Sequence, residues 1–315
     1  MTTVWILLGI IGGFGLLFLL IVYLCYLKTF HVRKKDKIPT EEFSIPPGKI
    51  YEPHREQMIC WMKECRAMNH EAVHIKSFDG LNLYGKYYEC TPDSPLELMF
   101  HGYRGSAERD LCGGVQRAFS LGHSVLIVDQ RASGHSDSYV ITFGINESRD
   151  CLSWTDYAVK RFGPQRKIIL TGISMGAATV MMAADQDLPA NVVGILADCG
   201  YTSAKEIICQ VIRDMGMSPK VAYPFVKLAA RWFGGFDLEE RSPIEALRNA
   251  KVPVIFFHGD GDDFVPCQMS RDNYDACIAP KKLVIMPDAG HGLAYLADQE
   301  GYLKALKEFF APYLA

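Results

Sequence analysis

The feature that most constrains this chain is a series of short apolar runs separated by helix-length segments. The runs are residues 96–100, 124–128, 167–170, 192–196, 254–257 and 283–286, each of strand length. Between them, residues 108–121, 146–162 and 175–186 carry helical spacing. Strands apolar on both faces, alternating with helices, predict a mostly parallel sheet covered by helices on each side. A hairpin precedes the series: residues 73–78 and 81–88 alternate, and Asp79-Gly80 joins them as a tight turn. Between Asp198 and Val252 the rhythm stops. Helical character at residues 204–215 and 222–233 predicts a helical cap inserted at about residues 203–247.

Ahead of this domain, residues 4–27 contain no charged side chain. As a helix rising 1.5 Å per residue the run is ~36 Å long, enough to cross a ~30 Å hydrocarbon core. Gly9, Gly12, Gly13 and Gly15 would weaken a helix in water but are tolerated in a membrane. Lys28, Arg33, Lys34, Lys35 and Lys37 follow, and no basic side chain precedes. A cleaved signal peptide requires a basic start, a shorter apolar core and a small-residue cleavage site. A core helix would be shorter and would lack the basic flank. Residues 4–27 therefore read as a single-pass transmembrane anchor, and the positive-inside rule puts the rest of the chain in the cytoplasm. Residues 28–51, basic and then marked by Pro39, Pro46, Pro47 and Gly48, read as flank and linker to a domain at 52–315. That domain opens with an amphipathic helix, Met58, Met62 and Cys65 falling on one face beside Trp61.

Composition narrows the class of function. The chain has 315 residues, 33 basic against 36 acidic, and is 49% hydrophobic. Disordered and collagen-like chains have other biases, and a nucleic-acid binder would show a basic excess. Residues 1–37 hold five basic residues and one acidic, which leaves 28 against 35 in the remainder. A cationic membrane segment thus precedes a moderately acidic domain. The ten cysteines show no CxxC pair and no zinc-type spacing with histidine, as expected of free thiols in a reducing compartment.

The chemistry centres on residues 167–170, which run into Gly172-Ile173-Ser174-Met175-Gly176 and then helix-forming Ala177-Ala178. A GxSxG pattern set between strand and helix is a nucleophile elbow, with glycines where a side chain would block the turn. A serine hydroxyl needs a base. In sheets that carry such an elbow the order is nucleophile, acid, histidine. Only His258 and His291 follow Ser174, and His258 precedes the acids clustered behind it. His291, in a loop just past the run 283–286, is the candidate base. Asp260, Asp262 and Asp263 crowd the loop after residues 254–257, with Asp198 a further possibility, so the chemistry leaves the acid open. An oxyanion needs backbone donors. The Met175 amide follows the nucleophile, and the Tyr103 amide sits in the loop after an early strand, where Gly102 permits close approach.

Together these residues resemble the α/β-hydrolase superfamily from about residue 73 onward. They are most similar to membrane-anchored bacterial hydrolases of the serine aminopeptidase S33-like group, related to the Bem46 proteins. The resemblance rests on His101-Gly102-Tyr103, Asp129-Gln130-Arg131-Ala132-Ser133-Gly134-His135-Ser136, the Ser174 elbow, the stretch from His258 to Pro266, and Gly290-His291-Gly292. In the family pattern HGxxDxxVP the fifth position is the acid, which implies Asp262, with Asp263 the runner-up. The DxRGxGxS loop carries Ala132 and Ser133 here, a departure in a mainly structural loop. The resemblance implies an α/β-hydrolase fold with a small helical cap and an N-terminal transmembrane helix. It implies hydrolysis through an acyl-enzyme on Ser174, Asp262 and His291, with no metal or organic cofactor, while the near-neutral charge balance argues against a nucleic-acid partner. A carboxylesterase acting on a small or medium acyl ester is the expected activity; a serine peptidase or lipid thioesterase would use the same triad. A non-catalytic interaction protein would have no need of the full set. Ile207, Ile208, Met215, Met217, Tyr223, Phe225, Leu228, Trp232 and Phe233 in the cap either roof an acyl pocket or pack as ordinary helices.

Overall fold

The computed structural model describes residues 2–37 and 42–314; residues 38–41 of the expected linker, Pro39 among them, lie outside the described residues. The apolar runs become strands of one sheet: β1 Glu71–Lys76, β2 Asn82–Tyr88, β3 Leu96–Phe100, β4 Ser124–Asp129, β5 Ile168–Ile173, β6 Val192–Asp198, β7 Val254–Gly259 and β8 Lys281–Met286. Their order is β1-β2-β4-β3-β5-β6-β7-β8. The hairpin pairs antiparallel and joins β4 antiparallel; the rest of the sheet is parallel. Successive side chains divide the core in two, as the period of a strand requires. Leu96, Leu98 and Phe100 face the helices Ile145–Phe162 and Met175–Met182. Met99, Val125 and Ile127 face Arg55–Ala67 and Ala107–Ser120, while Ile169 and Ile255 face Gln299–Leu314.

From β3 the chain crosses to β4 on one side and then returns to β5 on the other. The direction of winding therefore reverses beside β3, and the loops after β3 and β5 part to leave a crevice at the strand ends, where sites of open α/β sheets form. Loop 129–136 is structural, as expected. The Asp129 carboxylate accepts the amides of Ala107 (3.2 Å) and His135 (3.0 Å), and Arg131 bridges Asp150 and Asp79. Ala132, where the family pattern has glycine, holds a left-handed φ of 63°.

The N-terminal helix runs Thr2–Thr29, and its stretch Gly9–Thr29 is long and apolar enough to cross a membrane. The segment after it corrects the linker expectation. Phe30 is fully buried against Phe143 and Phe236, and residues 30–32 pair with the backbone of residues 139–141. Ile45 and Tyr51 are also buried, and the turn Lys49–His54 delivers the chain into helix Arg55–Ala67. Basic and proline-rich composition suggested a tether. The few apolar side chains within it, each worth about 1.5–3 kcal/mol when buried, strap it to the domain instead.

The cap consists of helices Ala204–Asp214 and Pro219–Ala229, a wide turn Ala230–Gly234, and helix Pro243–Leu247. Ile207, Ile208 and Tyr223 are buried in a cluster that includes Phe30, Val32 and Met175. Met215, Met217, Trp232 and Phe233 are exposed.

Candidate active site

Ser174 caps the helix Met175–Met182 with a φ of 55°, a strained value for a residue with a side chain. The flanking glycines are sterically required. A Cβ on Gly172 would stand 2.1 Å from the Gly176 carbonyl oxygen, and one on Gly176 would stand 2.0 Å from the Phe100 carbonyl oxygen. The Ser174 amide donates to the Asp198 carbonyl (2.8 Å), which pins the elbow to β6.

His291 Nε2 lies 2.9 Å from Ser174 Oγ, and His291 Nδ1 lies 2.7 Å from Asp262 Oδ2. A carboxylate can only accept, so Nδ1 carries the proton and Nε2 is left free to accept from the serine. Asp262 Oδ1 accepts the amides of Phe264 (3.0 Å) and Val265 (2.8 Å). His258 Nε2 lies 3.1 Å from Asp262 Oδ2 and 2.8 Å from the Val265 carbonyl, while Ser270 Oγ donates to its Nδ1 at 2.6 Å. Burial favours the neutral Asp262 carboxyl. Hydrogen bonds from His258 and His291, with the Val265 amide, outweigh it and hold this group well below the usual carboxylate range.

The other carboxylates considered from the sequence are placed elsewhere. Asp263 is exposed on the rim of the cleft. Asp260 accepts the Asp288 amide at 2.6 Å. Asp198 accepts the Tyr302 hydroxyl at 2.9 Å, and burial pushes its carboxyl up to about 6. Among the described residues, Asp262 is the carboxylate hydrogen-bonded to His291.

Across from His291 lies the loop after β3. His101 Nε2 accepts the Gln130 amide (3.1 Å), so Nδ1 bears the proton and donates to the Gly102 carbonyl (2.8 Å). Gly105 donates to the same carbonyl at 3.2 Å. That carbonyl and the Tyr103 N–H belong to one planar trans peptide and point in opposite directions, so tying the carbonyl back turns the Tyr103 amide away from His101. The Met175 amide opens its helix and has no intrahelical acceptor. His101 was legible only as part of a motif; its steering of the peptide needed the structure.

Tyr103 and the residue after it also reach the N-terminal helix. The Tyr103 hydroxyl donates to the Thr29 carbonyl (2.7 Å), and Arg104 Nη2 donates to the carbonyls of Lys28 (3.0 Å) and His31 (2.9 Å). The last carbonyls of a helix lack partners, and a cation there also suits the helix dipole. Nothing in the sequence signals this contact.

Ser174 and His291 open into a cleft of about 580 Å³, whose walls include Lys49, Tyr51, Arg104 and Phe264. The Phe264 ring stands edge-on to His291 at 5.2 Å. The strap at residues 46–51 lines this cleft, and the cap does not, so among the described residues the cap helices pack rather than roof the site. Cys199, Asp262 and His291 bring ligand-type atoms within 4.8 Å of one another. This is a poor set for a metal ion: Asp262 and His291 are hydrogen-bonded together, and burial drives the Cys199 thiol far up, keeping it neutral.

The sequence profile described as alpha/beta hydrolase fold matches residues 98–243. YqkD of Bacillus subtilis is 26% identical over 246 residues, covering 77% of this chain and 79% of that protein. The bem46 protein of Schizosaccharomyces pombe is 25% identical over 255 residues, covering 78% and 77%. Among solved structures, an esterase of Pyrococcus furiosus superposes with a TM-score of 0.66 at 19% identity, covering 88% of this chain and all 100% of that one. The chain is thus a protein of the α/β-hydrolase fold with Bem46-type relatives.

Proposed function

We propose that this chain is a serine hydrolase that cleaves an ester through an acyl-enzyme, anchored in a membrane by its N-terminal helix with the catalytic domain on the cytoplasmic side. The observation that carries the reading is the unbroken hydrogen-bonded line from Asp262 through His291 to Ser174 at the crevice beside β3. Ser174 Oγ attacks the ester carbonyl while His291 Nε2 takes its proton. Asp262, ionised throughout because its pKa is depressed, holds the ring and stabilises the imidazolium. The Tyr103 and Met175 amides donate to the oxyanion, each donor worth about 10²–10³ in rate. The intermediate collapses as His291 passes the proton to the leaving alkoxide, which leaves the acyl group on Ser174. Water, deprotonated by His291, then releases the acid and restores the serine.

The cleft lies within the ~300–1,000 Å³ range of small-ligand pockets, which favours a small or medium acyl ester. Two fold neighbours, from Pyrococcus furiosus and Rhodothermus marinus, are esterases by name, and a third, Est1E of Butyrivibrio proteoclasticus, has ferulic acid bound. The span Gly9–Thr29 and its basic flank support the anchor and its orientation.

The test is turnover of p-nitrophenyl acetate and butyrate, an aminoacyl p-nitroanilide and an acyl thioester by the wild type and Ser174→Ala. Ester cleavage should dominate and fall by about 10⁴ or more in the variant. Preference for the anilide or thioester would replace the esterase reading with a peptidase or thioesterase. Equal rates in both proteins would end the serine mechanism.

A further inference from the structure

The outer face of the cap takes no part in this chemistry, yet it is apolar. Val221, Trp232 and Phe233 are 66%, 51% and 38% exposed, and Met215 and Met217 on the preceding turn are exposed too. Large apolar side chains gathered on adjoining elements mark an interaction surface. The N-terminal helix indicates what covers it. Phe18 packs against Phe225 and Trp232, with ring centroids 5.5 and 6.1 Å apart, and Tyr23 and Tyr26 pack against Phe233 at 5.2 and 5.8 Å. Val22 between them is fully buried. The cap therefore lies along the C-terminal half of the Gly9–Thr29 span.

That contact sets a depth. Lys28, the first charge after the apolar run, belongs at headgroup level when the helix spans a bilayer. At 1.5 Å per residue, Phe18 lies about 15 Å along the axis from Lys28, half of a ~30 Å hydrocarbon core. A tilt of 40° still leaves it about 11 Å deep. The cap residues that touch Phe18 cannot stay in water without drawing the helix out of the membrane. The charges of residues 219–234 suit the same place. They are Lys220, Lys227 and Arg231, all basic, on side chains long enough to reach headgroups from an apolar surface.

We propose that the cap segment 215–235 is embedded in the leaflet that receives Lys28, with Val221, Trp232 and Phe233 among its acyl chains, so that lipid rather than another protein covers this face. The inference rests on the N-terminal helix being a membrane span. Tyr103 and Arg104, which hold the last carbonyls of that helix, then set the cleft at headgroup level, and the ester that reaches Ser174 is an amphiphile resident in the leaflet. This last step rests on the serine hydrolase reading as well.

The test uses the full chain in phosphatidylcholine–phosphatidylglycerol vesicles, comparing wild type with Trp232→Phe so that the difference in emission reports Trp232 alone. Spin-labelled lipid should quench most of that difference, and aqueous iodide should leave it unchanged. Quenching by iodide would put the cap in water, and protection from both quenchers would mean a protein partner such as a second copy; either result overturns the proposal. Release of the chain from vesicles by alkaline carbonate would end the span reading and this proposal together. In a kinetic arm, the double variant Val221→Ser, Phe233→Ser should lose about tenfold or more on a monoacylglycerol carried in vesicles and keep its rate on water-soluble p-nitrophenyl acetate. An unchanged vesicle rate would overturn the leaflet-substrate step. A wild type inactive on both esters would instead count against the hydrolase reading, with the quenching result still deciding the position of the cap.

Discussion

The side of Ser174 that faces His291 is built from the loops after β7 and β8 alone, whereas the side that faces Tyr103 leans on the last turn of the N-terminal helix. On the first side every partner is internal to the domain: Asp262 is held by two amides and His258, and His258 by Ser270. On the second, His101 and Asp110 hold Gly102 from within, but Tyr103 and Arg104 grip the carbonyls of Lys28, Thr29 and His31. On the proposed mechanism and anchor, proton transfer is insulated from the membrane, while oxyanion binding is mechanically joined to it.

The largest effects test the insulated side. Asp262→Asn should lower kcat by about 10⁴, because an amide leaves His291 in the wrong tautomer, whereas Asp263→Asn should stay within about twofold. Steady-state kinetics on one soluble ester decides this. A loss confined to Asp263→Asn would transfer the acid role to Asp263.

A smaller effect tests the coupled side. Arg104→Ala removes the guanidinium that binds the carbonyls of Lys28, in the last helical turn, and of His31 just beyond it, but leaves both proposed oxyanion amides in place. Its kcat should fall by about tenfold, short of the 10²–10³ that follows loss of a whole donor, with KM and the pH profile little changed. Wild-type kcat in Arg104→Ala would show that the helix contact has no bearing on the oxyanion loop.

Between the halves lies Asp198, whose carbonyl pins the elbow while its side chain accepts from Tyr302. Burial raises its carboxyl from 3.8 to about 6 in the folded chain. Ionisation is therefore harder folded than unfolded. The resulting destabilisation is absent below the ordinary carboxylate range, grows as pH rises, and is complete above about 6. Asp198→Asn should accordingly stabilise the protein by up to about 3 kcal/mol at pH 8 and by almost nothing near pH 3.5, measured by urea unfolding. A gain independent of pH would show that the carboxylate is not strained, and that the elbow is held without cost by its neighbour.

Much of this was legible in the sequence, for local reasons. Buried parallel strands leave continuous apolar runs, so the strands fell within a few residues of their expected places, and β3 matched at both ends. The Ser174 elbow is steric chemistry confined to five positions. His291 emerged from order along the chain, and Asp262 from the family pattern rather than from chemistry, which could not separate it from its neighbours. What stayed hidden is long-range. Phe30, Val32, Ile45 and Tyr51 have no periodicity, so nothing distinguished a docked strap from a tether. The apolar cap residues announced a face without saying what it meets. The tie from Arg104 to the helix end joins positions far apart in sequence through backbone carbonyls, which no residue type reveals.

The most direct measurement is labelling of the full-length protein with a fluorophosphonate, followed by peptide mass mapping. A single adduct on Ser174 is expected, absent from Ser174→Ala and strongly slowed in His291→Ala. An unlabelled wild type, or an adduct that persists unchanged in Ser174→Ala, would contradict it.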